Sequence, residues 1–261
     1  MNEVSPQKAE RTYQTEIPAA LNLARAFGHI PIIEMTPRMI YTYLDARSQA
    51  APIRANREIA LLSHIFTKSI RWGACDTNPC LGVERNKELP RKRYVTDSEL
   101  KAFKATCPDW LCNYMDLKCC TALRQSDMLK LQWNDIKCEG IEVEVSKTKR
   151  KILIIITPHL KNVLERIRAQ NPFTAGDDYI FSTKSRSKYT GDGFRSIFYR
   201  YMKKAVEIGA LLETFQEKDL RAKAGTDASS LDRASRLLDH ADAKVTRKHY
   251  RRKVEVVEPL F

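Results

Sequence analysis

The residues most able to do chemistry in this 261-residue sequence gather toward its end: Lys218 and Arg221 in KDLRAKAG, His240 in LLDHAD and Tyr250 in VTRKHYRR. A phenol set among permanent cations suits attack on a phosphodiester. Tyrosine has a reference pKa near ~10 and is a weak nucleophile at neutral pH unless positive charge favours the phenolate. Arginine offers fork-shaped donors to nonbridging phosphate oxygens and does not lose its proton. A second arginine lies far upstream, Arg124 in CCTALRQSDMLKLQWNDI.

The elements that must hold these groups are mostly helical. TPRMIYTYLDAR opens with Thr36 as N-cap and Pro37 in the first turn. APIRANREIALLSHIFTKSIRWG reads as a long amphipathic helix stopped at Gly73, and an earlier helix is expected around 17–27. The polar stretch NKELPRKR (86–93) is the expected linker. TDSEL then restarts the chain with a capping box, Thr96 to Glu99. Helices are expected at 97–106 and 109–122. GIEVEVSKTKRKILIII predicts a β-hairpin with a charged turn at 147–151 and a buried second strand, and DDYIFST a further short strand. Helical patterns resume in TPHLKNVLERIRAQ and DGFRSIFYRYMKKAVEIG and, in short pieces, from Lys218 onward. Two lobes follow: a helical one, and a mainly helical one carrying a small sheet.

Bulk composition agrees with a polyanion as partner. The net charge is +13, yet residues 1–90 hold 11 Lys/Arg against 9 Asp/Glu, so most of the excess belongs to 91–261. Six Lys/Arg and no acid fall between Lys244 and Lys253. A basic excess around one site favours nucleic acid. The longest apolar run, ILIII at 152–156, is far short of the ~20 residues a membrane span needs, and no leader is apparent; the expectation is an intracellular chain. Seven cysteines without a C-x-x-C pair are expected to be reduced thiols rather than a metal site.

Taken in order, Thr121-Ala122-Leu123-Arg124-Gln125-Ser126-Asp127, Lys147-Thr148-Lys149, Lys218-Asp219-Leu220-Arg221, Leu238-Asp239-His240 and Tyr250 resemble the five motifs of the tyrosine recombinase (phage integrase) family, most like prophage integrases. The resemblance implies a helical core-binding domain (1–88) and an α+β catalytic domain of the DNA-breaking-rejoining fold (89–261), closing around DNA as a clamp. It implies site-specific cleavage and rejoining through a 3′-phosphotyrosine, with no metal, ATP or other cofactor. Arg124 and Arg221 would neutralise the phosphate, Lys218 and His240 would assist, and Tyr250 would be the nucleophile. The lysine on the hairpin turn would protonate the leaving 5′-oxygen; Lys147 is favoured because its KT matches the family pattern, with Lys149 the alternative. Double-stranded attachment-site DNA and a homotetramer on synapsed duplexes are the implied partners, with room for an accessory DNA-bending protein, in the bacterial cytoplasm at the nucleoid. The chain is expected to be a short member, or a piece of a longer one lacking an arm-binding module.

Three departures stand out. Lys218 occupies the usual histidine position, and Asp239 and Ala122 replace glycines. A carboxylate beside an anion site is unwelcome unless it points away. These departures keep open a catalytically weakened relative that only binds DNA, and a type IB topoisomerase shares the chemistry. For DNA contact, Arg54, Asn56, Arg57, Lys68 and Arg71 on the long helix are the candidates, with Lys184, Arg186 and Lys188 in a loop and Arg247 and Arg251 in the tail for phosphate.

Overall fold

The computed structural model describes residues 7–170, 178–239, 242–250 and 252–253. His240 and Arg251 lie outside them. Two compact units are present, Met1–Leu89 and Pro90–Phe261.

The first unit holds α1 (Glu10–Phe27), α2 (Pro37–Ser48) and α3 (Pro52–Arg71). Thr36 caps α2, its hydroxyl accepting from the Met39 N–H. Past the end of α3, Gly73 takes a left-handed φ of 72°, which only glycine adopts without strain. Ile40, Leu44, Ala55, Ile59, Leu62 and Phe66 form the core. Buried Glu58 binds the three helices together, accepting from Asn22 of α1, Tyr43 and Arg47 of α2. α1 starts seven residues before Ile17, and so contains Pro18 in its interior. The Gln14 carbonyl consequently lacks its helical donor.

In the second unit, α4 (Asp97–Lys104) begins with the Thr96–Glu99 capping box. α5 (Asp109–Thr121) and α6 (Gln125–Met128) precede an antiparallel hairpin of β1 (Gly140–Glu144) and β2 (Lys151–Ile155), paired from Gly140↔Ile155 to Glu144↔Lys151. Then come α7 (Pro158–Gln170), α8 (Gly191–Glu207), α9 (Glu217–Asp227), α10 (Leu231–Leu237) and α11 (Ala243–Tyr250). Phe103, Tyr114, Met115, Phe194, Phe198 and Leu220 are the centre of its core. The ILIII strand is not buried on both sides: Ile152, Ile154 and Ile156 pack on the core while Leu153 and Ile155 face outward, because a lone hairpin has one covered face. The expected strand in DDYIFST is reduced to isolated bridges at Tyr179 and Ser182. Among the described residues no helix is long and apolar enough to cross a membrane.

Candidate active site

α9 is the helix on which the site is built. Unlike an amphipathic surface helix it is buried over most of its circumference, packing on α5, α10 and α11. This is possible because KDLRAKAG supplies small residues. At Gly225 a Cβ would meet Leu238 Cδ1 at 2.8 Å and Tyr250 Cβ at 3.3 Å. The missing side chain lets α11, which carries Tyr250, approach α9.

Arg221, 6% exposed, is the keystone. One terminal nitrogen donates to the Ala122 carbonyl and the other to the Leu238 carbonyl, so one side chain joins the first arginine box, the KDLR box and the LDH box. Its Nε is buried and has no hydrogen-bond partner among the described residues. The guanidinium lies 5.8 Å from the Tyr250 ring centroid, within hydrogen-bonding reach of that side chain. Burial lowers the Arg221 pKa, with the Arg124 charge acting in the same direction and Tyr250 and Asp127 opposing. Arginine's reference value is so high that the group remains a cation.

Arg124 reaches the same place through a sharp reversal. α5 ends at Ala122 in the left-handed region (φ 50°), and Arg124 becomes the N-cap residue of α6. Its side chain is half-buried and makes no hydrogen bond to the described residues. The left-handed turn explains why glycine would suit position 122; alanine there carries a backbone cost of roughly 1 kcal/mol.

Tyr250 is fixed from behind. The Thr226 hydroxyl donates to the Tyr250 carbonyl and accepts from the Arg252 N–H at 3.1 Å. Arg252 donates to Asp219 (2.7 Å) and to the Arg93 carbonyl (2.6 Å), and Arg91 also bonds Asp219, which is fully buried. Lys253 pairs with Asp227 at 2.6 Å. The basic run after Lys244 is therefore only partly a free cationic surface: Arg252 and Lys253 are spent on carboxylates of α9. Sequence reasoning missed Gly225, Thr226, Asp219 and Arg252. The acid in KDLR beside an uncompensated basic run was the available signal.

Lys147 sits at the hairpin turn, exposed and without a partner among the described residues, whereas Lys149 pairs with Glu144 at 3.6 Å. Both neighbours of Lys147 are tethered. The Ser146 N–H donates to Asp127 (3.1 Å), and the Thr148 hydroxyl donates to Asp239 (3.1 Å). Lys218 is exposed on the first turn of α9, one turn before Arg221.

In the first unit Arg54 and Arg71 are exposed, Lys68 is half-buried, and Arg57 is exposed but pairs with Glu88 at 2.8 Å. Asn56 corrects the sequence expectation. It is 3% exposed and fully engaged, donating to the Asn86 carbonyl and Glu88 and accepting from the Asn86 N–H. It pins the segment after α3 and is not available to a duplex. In the second unit Lys184, Arg186, Lys188 and Arg247 are all exposed.

A profile of the phage integrase family matches residues 93–255, which carry Arg124, Lys147, Lys218, Arg221 and Tyr250. The chain belongs to the phage integrase family. Curated relatives include the integrases of Enterobacteria phage 434, 29% identical over 196 residues, and Escherichia phage lambda, 28% identical over the same length. Each alignment covers 71% of this chain and 53% of the relative, so the chain spans about half the length of the curated relatives it matches. The fold is that of solved integrases. A lambda integrase (75–356) dimer bound to a COC′ core site superposes with a TM-score of 0.81 at 22% identity, over 97% of this chain and 93% of that one. The Tn1549 transposon integrase with circular intermediate DNA gives 0.75 at 16% identity, over 94% and 90%.

Proposed function

We propose that the chain is a site-specific DNA recombinase that cleaves and rejoins DNA through Tyr250. The observation that carries the reading is the buried Arg221, bridged to two motif carbonyls, its Nε without a partner among the described residues, with Tyr250 and Arg124 beside it. A buried donor without a partner is costly in isolation, and a phosphate oxygen is its natural acceptor. Tyr250, having released its proton to solvent, attacks phosphorus; the Oη–P bond forms as the P–O5′ bond breaks. Arg124 and Arg221 meet the charge that develops on the nonbridging oxygens, where one preorganised donor contributes on the order of 3 kcal/mol. Lys147 gives the proton to the departing 5′-oxygen; its freedom from carboxylate partners, against the Lys149–Glu144 pair, supports it over Lys149. Lys218 adds a cation where relatives have histidine, and His240 is a third phosphate contact. The phosphotyrosine retains the bond energy, so a second 5′-hydroxyl can displace it without ATP, and the cationic side chains supply the charge that metal ions provide elsewhere.

The segment 1–88 is proposed to be the core-binding domain and 89–261 the catalytic domain, with Arg54, Arg57, Lys68, Arg71, Lys184, Arg186, Lys188 and Arg247 as duplex contacts. Solved relatives include a dimer on a core site and a lambda integrase tetramer bound to a Holliday junction, which supports a tetramer on paired DNA sites in the cytoplasm for this chain. The test uses duplexes selected by binding from a randomised pool, nicked so that the short 5′-hydroxyl fragment diffuses away. The wild type should trap a covalent adduct that Tyr250→Phe does not form, and two intact sites should yield recombinant joints. Binding without any adduct would reduce the chain to a DNA-binding module. Relaxation of supercoils without joints would point to a topoisomerase.

A further inference from the structure

Asp239 is a carboxylate where the family motif has glycine, directly beside a site built for an anion. It adopts the left-handed region (φ 47°), a conformation glycine takes freely and aspartate tolerates better than most residues. Its side chain is 4% exposed and is turned onto the hairpin: one oxygen accepts from the Thr148 hydroxyl at 3.1 Å, the other pairs with Arg150 at 2.9 Å. Arg150 itself is largely exposed, so solvent competes for its charge while the carboxylate is committed. The turn is narrow. The Val145 and Arg150 backbones bond across it, and Lys149 has a positive φ of 59°. Asp127 holds Ser146, on the near side of Lys147, through its backbone N–H. Asp239 holds Thr148 and Arg150, on the far side. The lysine is thus suspended between two anchored neighbours while its own side chain has no partner among the described residues.

We propose that Asp239 is a positioning residue: it docks the Lys147 turn against the C-terminal end of α10, so that the proton donor is placed before DNA arrives. Glycine, having no side chain, cannot make this clasp. The inference rests on Lys147 as the donor to the 5′-oxygen. It also accounts for a carboxylate tolerated beside the arginines, since Arg150 and Thr148 face its charge.

The experiment compares a nicked duplex carrying the selected site with the same duplex whose scissile 5′-bridging oxygen is sulfur. A thiolate leaves without a proton, so the sulfur substrate does not need the lysine. Asp239→Gly keeps the backbone conformation comfortable while deleting the clasp. It should slow single-turnover cleavage of the oxygen substrate about tenfold or more, the effect of losing hydrogen bonds to a charged group, and cleave the sulfur substrate close to the wild-type rate. Amide exchange over 146–150 without DNA should become faster. Asp239→Asn, which still accepts from Thr148, should fall between; Arg150→Ala should mimic Asp239→Gly, with little added loss in the double variant. Equal slowing on both substrates, no slowing, or unchanged exchange would overturn the proposal. Lys147→Ala separates the two layers. If sulfur restores Lys147→Ala but not Asp239→Gly, the lysine role stands and the clasp falls. If sulfur does not restore Lys147→Ala, the lysine assignment itself is wrong.

Discussion

Gly225→Ala offers the sharpest mechanical test of how Tyr250, the proposed nucleophile, is placed. The new methyl would sit 2.8 Å from Leu238 Cδ1 and 3.3 Å from Tyr250 Cβ. Carbon atoms settle near ~3.5 Å, so Leu238 must retreat about 0.7 Å and Tyr250 about 0.2 Å. Leu238 is fully buried and its carbonyl accepts from Arg221, so any shift of its backbone as the side chain retreats would be felt at Arg221 as well as at Tyr250. A helical Gly→Ala change gains about 1 kcal/mol of propensity while overpacking costs about 1–3 kcal/mol, so net stability should fall by at most about 2 kcal/mol. Catalysis is more sensitive. A 1 Å misplacement of reacting atoms can cost about a hundredfold, and a displacement of a few tenths should cost about tenfold. Single-turnover cleavage of the nicked duplex, measured beside denaturant unfolding, separates the two effects. A Gly225→Ala protein that cleaves within about twofold of wild type would refute the idea that this contact sets the position of Tyr250.

Other expectations concern the supports. Asp219→Asn should cost about 3 kcal/mol in urea unfolding, because Arg91 and Arg252 would lose a buried counter-charge. Burial alone would raise the Asp219 pKa, but hydrogen bonds from Arg91, the Gln216 N–H and Arg252 outweigh it and the net shift is downward. Its contribution should therefore be complete above the unfolded value near ~3.9 and disappear as pH falls through the lower native value, so wild type and Asp219→Asn should converge in acid. In the first unit, Asn56→Ala should lower stability by about 1–2 kcal/mol and leave the salt dependence of DNA binding intact. Arg71→Ala should do the reverse, reducing the slope of log affinity against log salt by about one; equal slopes for the two variants would contradict the assignment of Arg71.

What the sequence disclosed was local or carried by motif. The Thr36 cap, the Thr96–Glu99 box and the hairpin turn are decided by residues within a few positions of one another, and the structure has all three. Three of the family boxes are tied together by Arg221 through the Ala122 and Leu238 carbonyls. What stayed hidden depends on distant partners. Asn56 reads as a polar helix residue, yet it lies three residues before Ile59 on the buried face, and its partners Asn86 and Glu88 are about thirty positions away. The acids that neutralise Arg252 and Lys253 belong to α9, so a run without acids of its own is only partly a free cationic patch. The ILIII strand shows the limit of hydrophobicity: five apolar residues in a row do not say whether one face or two are covered.

The central claim is that a DNA phosphate becomes bonded to one particular phenol. Isolating the covalent complex from the nicked duplex, digesting its DNA and protein, and locating the residual nucleotide by mass spectrometry tests this directly. The account predicts a nucleotide linked through its 3′-phosphate to Tyr250 and to no other residue. A nucleotide on a different side chain, or an adduct that persists undiminished in Tyr250→Phe, would contradict it.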